Sequence, residues 1–239
     1  MTPPTPIEVE AKYEVADPAA VHGLMHDARL GDGFVLGPGA VKLLFDTYLD
    51  TPDGRLRAAG LSLRLRSSGE RARLTVKGRA GGPAPGGAIH ARTEVERTLP
   101  DVAAWRDPAT WPDAIRDAVR AAAGDGTVRV VPTVLLHQAR YARLVHRAGG
   151  GAAAAPVAIL SVEHVLVTHP DRDGSAGGRP RELAHWTECE AELCEGGTSD
   201  DLARLDAALR ARPGLRPSTQ SKLDRALAAG APPAGADLG

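Results

Sequence analysis

The chain has 239 residues and a formal net charge of −1, which is enough length to bury a core and too balanced a charge for a dedicated nucleic-acid binder. Its hydrophobic fraction of 43% excludes a disordered polymer, and no apolar run approaches the roughly 18 residues of a membrane span. The opening MTPPTPIEVE lacks the features of a signal peptide and only two cysteines occur, so we expect a cytoplasmic protein without nucleic-acid or membrane partners.

Alternation of polar and apolar residues, the period of a β-strand, marks much of the N-terminal half. The strands predicted from this pattern are residues 7–15, 43–50, 61–66, 71–77 and 92–99. A short helix over 18–28 and a glycine-rich bend over 31–39 separate the first two. Residues 67–70 predict a hairpin loop, and residues 78–88 are rich in Gly and Pro and predict a mobile loop.

The C-terminal half continues the pattern and adds helices. Its predicted strands are 137–147, 157–168 and 185–193, and its predicted helices are 107–123, 199–211 and 218–228. Because no helix lies between successive strands in most of the chain, antiparallel pairing is expected, and eight strands suffice to close a barrel. The expected fold is mainly β (α+β), one domain over 1–229 with an eight-stranded antiparallel closed barrel, peripheral helices and a disordered tail over 230–239.

Charged residues are concentrated on one face of several predicted strands. They are Glu8, Glu10 and Lys12; Arg64 and Arg66; Arg73 and Lys77; Glu94 and Glu96; and Glu188, Glu190 and Glu192. Glutamates at every second position repel one another on an open surface, whereas they are stabilised when cations lie between them. The faces therefore indicate a barrel with a charged lumen that holds ions or a charged ligand.

The chemistry of these side chains indicates what that ligand is. Carboxylates without His or Cys partners are the oxygen ligands that Mg²⁺ or Mn²⁺ prefers. Clustered Arg and Lys side chains suit phosphate oxygens. Together they predict a site for a metal-bound polyphosphate.

Several motifs occur in a fixed order along the chain, each in a strand-like context. They are ExExK (Glu8, Glu10, Lys12), YLDTP (48–52), LRLR, LTVKG, TEVE, ECEAE and a late Ser221-Lys222. In this order they resemble the CYTH superfamily, the triphosphate tunnel metalloenzymes, over residues 7–228. The sequences of these motifs are most similar to those of CYTH domains that are fused to a helical CHAD domain.

The resemblance implies a role for each matching position. Phosphate would be bound by Arg64, Arg66, Lys77, Arg140 and Lys222. Metal would be held by Glu8 and Glu10 with one or more of Glu188, Glu190 and Glu192. Lys12 would lie at the reacting end, with Glu94 and Glu96 near a second metal or the attacking water. Two positions depart from the family, since Gln138 replaces a cation and Glu163 replaces an Asp.

The function implied is a metal-dependent triphosphatase that hydrolyses inorganic triphosphate or a small organic triphosphate within a charged tunnel. One alternative is a class IV-type adenylate cyclase, which the aromatic fraction of only 3% disfavours because adenine needs a binding pocket. Another is a non-catalytic polyphosphate-binding module, which the intact glutamates of ExExK disfavour. The partner expected in every case is a triphosphate-containing small molecule or polyphosphate; the oligomeric state is left open.

Overall fold

A computed structural model describes residues 7–68, 71–78, 87–124, 128–150, 154–170 and 181–230. The tip of the predicted hairpin loop, most of the predicted loop over 78–88 and the predicted tail from 231 onward lie outside the described residues. Among the residues described, no helix has the length and apolarity needed to cross a membrane.

The described chain forms ten strands with helices between and after them. The strands are β1 (Ile7–Val15), β2 (Arg29–Leu30), β3 (Phe34–Asp50), β4 (Ser62–Ser68), β5 (Arg71–Lys77), β6 (Ile89–Thr98), β7 (Val131–Arg147), β8 (Ala158–Thr168), β9 (Glu182–Leu193) and β10 (Leu215–Pro217). The α-helices are α1 (Ala19–His26), α2 (Arg55–Ala58), α3 (Asp113–Ala123), α4 (Ser199–Arg210) and α5 (Lys222–Gly230). Short 3₁₀ turns cover Val102–Arg106 and Pro108–Thr110.

Eight of these strands close into an antiparallel barrel, which confirms the predicted fold class. The order around the barrel is β1–β6–β5–β4–β3–β7–β8–β9, and β9 pairs back onto β1. Strand β1 closes the ring, because Glu8 lies opposite Arg92 of β6 and Lys12 lies opposite Glu190 of β9. The two short strands are additions, with β2 pairing to β3 and β10 pairing to β1.

The predicted glycine-rich bend before the second strand is wrong, because β3 runs through it and begins at Phe34. A bulge between Leu36 and Gly39 keeps this segment paired with β7. A Cβ at Gly39 would lie 2.0 Å from the ring of Tyr141. Glycine is therefore required here for close packing against a neighbouring strand, and the chain does not turn.

The three largest of the other boundary differences have local causes. Strand β7 begins at Val131, before the predicted start at residue 137, since its first residues pair with the end of β3. Helix α3 begins at Asp113 because Pro112 interrupts the predicted helix over 107–123. Helix α5 begins at Lys222 because the hydroxyl of Ser221 accepts a hydrogen bond from the Asp224 backbone and caps the helix.

The outer faces of the strands form most of the apolar core. Helices α1 and α4 cover β1, β8 and β9, where Tyr13, Leu160 and Leu205 are buried in one cluster. Helix α3 covers β5 and β6, and its Ile115 is buried in a second cluster together with Trp111, which precedes the helix. The charged residues of each strand therefore lie on the inner face of the barrel, because the apolar residues occupy the outer face.

One end of the barrel is filled by apolar side chains. They point inward with the charged residues of the same strands and pack against α5, and they are Tyr48, Val134, Leu136, Val165, Val167 and Trp186. Ala226 of α5 is buried among them, with Leu223 and Leu227 beside it. This packing fixes α5 and places Lys222, its first residue, at the edge of the charged lumen.

Candidate active site

The inner face of the barrel encloses a cavity of about 500 Å³. Its lining is dominated by charged side chains from β1, β4, β5, β6, β7, β9 and α5. They are Glu8, Glu10, Lys12, Arg64, Arg66, Arg73, Lys77, Arg92, Glu94, Glu96, Arg97, Arg140, Glu190, Glu192 and Lys222. Every site residue predicted from the sequence is among them except Glu188, which lies deeper and contacts the same lysines.

The deepest part of the site is a group of three buried carboxylates. Oxygens of Glu163, Glu188 and Glu190 lie within 4.8 Å of one another, the one group among the described residues compact enough for a metal ion. The Lys222 ammonium lies among them, 3.1 Å from Glu163, 2.7 Å from Glu188 and 2.9 Å from Glu190. The oxygens of Glu163 and Glu188 that face Lys222 make no hydrogen bond, so lysine ammonium groups are their only close polar neighbours in the part of the chain that the structure describes. A group of oxygen-only donors of this kind fits Mg²⁺ or Mn²⁺.

Neighbouring carboxylates of this group differ in how readily they ionise. Burial raises the pKa of Glu188, and Lys222 and Lys12 only partly offset that effect. For Glu190 burial acts in the same direction, but Lys12 and Lys222 outweigh it and hold the pKa well below its usual value. Glu190 is therefore the carboxylate that stays ionised between the two lysines.

Lys12 projects into this group from β1. Its Nζ lies 2.8 Å from Glu190, 3.8 Å from Glu10 and 3.9 Å from Glu188. Burial opposes the charged ammonium, but Glu190, Glu10 and Glu188 outweigh it and raise the pKa of Lys12. Lys12 is thus a fixed cation that joins the ExExK strand to β9.

The two glutamates of ExExK are held by cations from the neighbouring strands. Lys77 donates to both oxygens of Glu8 at 2.8 and 2.7 Å, and Arg92 donates to Glu8 at 2.7 Å and to Glu10 at 2.8 Å. Burial opposes ionisation of Glu8, yet Lys77 and Arg92 together lower its pKa to about 2. Glu8 is therefore ionised at neutral pH.

The arginines of β4 are oriented by a buried aspartate. Asp46 accepts two hydrogen bonds from Arg66, at 2.7 and 2.8 Å, and a third from the amide of Gln138 at 2.7 Å. Burial opposes its ionisation, but Arg64 and Arg66 hold the pKa of Asp46 far below its usual value. The bidentate pair uses one edge of the Arg66 guanidinium, so further N–H groups remain to face an anion in the cavity.

Glu94 and Glu96 occupy the β6 side of the cavity. Glu94 lies 3.2 Å from Lys77, and Glu96 lies 2.9 Å from Arg73. Burial raises the pKa of Glu94, and Lys77 only partly offsets this effect. A carboxyl group with a raised pKa in a polar cavity can exchange a proton more readily than an ordinary glutamate.

Glu192, opposite Glu10 across the β1–β9 seam, gives a pH-dependent prediction. Burial and the charges of Glu8 and Glu10 raise its pKa from 4.5 to about 7. Because the folded protein binds the Glu192 proton more tightly than the unfolded chain does, this carboxyl group contributes stability below pH 4.5. That contribution is lost as the pH rises through 7. Glu192→Gln should therefore raise the free energy of unfolding at pH 8 by about 1–2 kcal/mol in chelator, with a smaller gain at pH 5. Urea unfolding at the two pH values measures this, and an equal or lower stability of the variant at pH 8 would contradict it.

Several residues of the site were not assigned a role by sequence reasoning. They include Asp46, Arg92, Gln138 and Glu163. Arg92 lies two positions before Glu94 on the same face of its strand. The alternation of Arg92, Glu94 and Glu96 could therefore have placed Arg92 in the lumen. Asp46 shares a face with Tyr48 in the same way. Glu163 was noted only as a departure from an Asp, but it is fully buried and bound to Arg140 at 2.8 Å.

The fold and the site define a class of protein: a closed antiparallel barrel whose lumen is lined with paired acidic and basic side chains. The CYTH domain family matches residues 6–227, so the chain belongs to the CYTH family. Comparison with curated protein sequences gives no match.

Two solved structures share the fold at low sequence identity. One is a candidate adenylyl cyclase from Hippeastrum, HpAC1, described as having a dominant triphosphatase activity; it is 18% identical over 95% of this chain and 98% of its own, with a TM-score of 0.63. The other is a candidate adenylate cyclase from Bacillus halodurans, 19% identical over 91% of this chain and 96% of its own, with a TM-score of 0.54.

Proposed function

We propose that the protein is a metal-dependent triphosphatase that hydrolyses inorganic triphosphate or a small organic triphosphate. The observation that carries the proposal is the arrangement of the lumen, in which cations of β4, β5, β7 and α5 face carboxylates of β1 and β9 across one cavity. Family membership and the activity attributed to HpAC1 support it. Free thiols at Cys189 and Cys194 agree with a cytoplasmic location.

The basic residues would bind the phosphate chain. Arg64, Arg66, Lys77, Arg140 and Lys222 all line the cavity. Arg64 and Arg140 each have a buried Nε without a hydrogen bond, so the protein does not satisfy all the donors of either guanidinium. Because these cations come from four different elements, they can contact different phosphoryl groups of one chain.

The acidic residues would hold the metal. Glu8 and Glu10 on β1 lie beside the glutamates of β9, with Glu10 directly opposite Glu192. Mg²⁺ or Mn²⁺ bound by Glu8, Glu10 and the β9 residues Glu188, Glu190 or Glu192 would neutralise charge on the phosphoryl oxygens.

Hydrolysis then needs little covalent chemistry from the protein. Lys12 and the arginines would hold the terminal phosphoryl group in line with an attacking water, and Glu94 or Glu96 would orient that water and take its proton. The new bond joins the water oxygen to the terminal phosphorus, and the bond from that phosphorus to the bridging oxygen breaks. Position and electrostatic stabilisation supply most of the rate.

The proposal is tested by a hydrolysis panel. Purified protein is incubated with inorganic triphosphate, thiamine triphosphate, ATP and long-chain polyphosphate, each with Mg²⁺, with Mn²⁺ and with excess chelator. We expect metal-dependent phosphate release from at least one triphosphate. Cyclic AMP from ATP would instead identify a cyclase, binding without turnover would identify a binding module, and unchanged turnover in chelator would exclude the metal role.

The scarcity of lysine gives a prediction for the reacting end. Only four lysines occur against 25 arginines, and Lys12, Lys77 and Lys222 all lie in the lumen. Arg is longer and planar, so Lys12→Arg keeps the charge but cannot fit its guanidinium among Glu10, Glu188 and Glu190. We expect turnover of inorganic triphosphate to fall at least about tenfold, or roughly 1.4 kcal/mol of barrier. Lys42→Arg, at an exposed position, is the control and should be neutral; near wild-type turnover in Lys12→Arg would contradict the prediction.

A further inference from the structure

Arg92 binds both carboxylates of the ExExK strand at once. Its Nε donates to Glu8 at 2.7 Å and its Nη2 donates to Glu10 at 2.8 Å. The three side chains are largely buried, at 17%, 9% and 4% exposure. A forked guanidinium that bridges two carboxylates in this way is an ion pair of high geometric quality.

This contact competes with the proposed metal site. Lys77 takes both oxygens of Glu8, and Arg92 takes one oxygen each of Glu8 and Glu10. A metal ion that binds Glu8 and Glu10 must therefore weaken the hold of Arg92 on them. The protein fills its own site with cations, and a metal has to exchange with those cations.

When a metal ion takes Glu8 and Glu10, the guanidinium of Arg92 needs a new anionic partner. A guanidinium that loses its carboxylates while largely buried is costly unless another anion replaces them. The phosphate chain would supply that anion, since Arg92 lines the same cavity as Arg64 and Lys77. Metal binding would thus release Arg92 to contact the triphosphate. The triphosphate in turn would stabilise the conformation in which Arg92 has left Glu8 and Glu10, which is the conformation that binds the metal.

Arg92 also has room to move. It lines the main cavity of about 500 Å³ and a neighbouring cavity of about 320 Å³, and so lies where the two meet. Glu10 and Lys12 line both cavities as well. The guanidinium can therefore leave the carboxylates without entering the packed core.

We infer that Arg92 is an exchangeable counter-ion which holds Glu8 and Glu10 in the free protein and transfers to the phosphate chain when metal binds. Metal and triphosphate binding are coupled through this one side chain. The inference rests on the proposed function and names a phosphate-binding residue that the sequence motifs did not assign.

The experiment measures two affinities that should change in opposite directions. Mn²⁺ binding to the protein alone is followed by loss of the free-ion EPR signal. Binding of imidotriphosphate, a non-hydrolysable analogue, is followed by calorimetry at saturating Mn²⁺. In Arg92→Ala we expect Mn²⁺ to bind about tenfold more tightly and imidotriphosphate about tenfold more weakly than in wild type, a coupling within the usual range.

Two variants accompany this measurement. Arg212→Ala removes an arginine–aspartate pair outside the lumen, with Asp27 at 2.8 Å, and should leave both affinities unchanged. Arg92→Lys keeps the charge but loses the fixed fork that gives Glu8 and Glu10 a separate N–H donor each, so its Mn²⁺ affinity should rise less than that of Arg92→Ala. It also serves as the test variant if Arg92→Ala does not fold.

The outcomes separate this inference from the proposed function. If wild type binds no imidotriphosphate with Mn²⁺, the proposed function fails. If wild type binds it while Mn²⁺ affinity is unchanged or lower in the Arg92 variants, the exchange role of Arg92 is wrong and the triphosphate site stands. Tighter Mn²⁺ binding together with weaker analogue binding supports the inference.

Discussion

Lys222→Met is expected to lower the free energy of unfolding by about 3–5 kcal/mol at pH 8 in chelator, because it removes the partner of buried charges. Methionine keeps most of the side-chain volume but removes the ammonium that lies among all three carboxylates. Glu188 is then left with Lys12, Glu163 with Arg140, and Glu190 with both of these cations. Urea unfolding followed by circular dichroism measures the loss.

Two conditions make this result specific to charge. As the pH falls, the glutamates of the variant take up protons and the uncompensated charge disappears, so the difference from wild type should shrink. Lys42→Met removes an exposed lysine and should cost less than about 0.5 kcal/mol, as surface substitutions usually do. A loss of the same small size for Lys222→Met would show that the three carboxylates do not depend on its ammonium.

Glu10→Gln is expected to lower metal-supported turnover of inorganic triphosphate by about a hundredfold or more, because it removes a proposed metal ligand and with it several kcal/mol of charge stabilisation. Glu10 is buried at 3% exposure and lies opposite Glu192. The fold should persist, because the amide keeps the shape of the side chain and Arg92 retains Glu8 as a partner. Steady-state phosphate release, with circular dichroism as the check on folding, tests it.

The matched controls lie on the same strand. Glu14→Gln changes a carboxylate with a 47% exposed side chain outside the lumen and should leave turnover unchanged. Val9 faces the outer cluster, so Val9→Asn should lower the thermal midpoint and spare turnover until the protein unfolds. Full activity in Glu10→Gln, or unchanged stability in Val9→Asn, would contradict the facing of β1.

The barrel itself could be predicted because its strands alternate cleanly. Residues such as Glu8 and Glu10 fall on one face and Val9 on the other, and a period of two specifies a strand buried on one side. The extended N-terminal part of β3 could not be predicted. Gly37, Pro38 and Gly39 have the composition of a turn, and the reason for Gly39 is the ring of Tyr141, which is distant in sequence.

The sequence predicted many of the residues that line the site, but it could not predict which of them form ion pairs with one another. Parity placed Lys12 and Glu190 in one lumen, but their 2.8 Å contact depends on the register between β1 and β9, which no local pattern encodes. Glu163 was undervalued for the same reason. Its importance comes from Arg140 and Lys222, which reach it from another strand and from the last helix.

The seam between β1 and β9 has a consequence for how the molecule is made. It joins residues 10–14 to residues 188–192, and α5 then brings Lys222 to the carboxylates on both sides. During synthesis β1 must wait for almost the whole chain before its second neighbour exists, and such long-range pairing is slow to form. Glu8 and Glu10 can pair with Lys77 and Arg92 before β9 exists, but Lys12 lacks Glu188 and Glu190 until the ring closes. The lumen is therefore completed late, when β9 and α5 supply Glu188, Glu190 and Lys222.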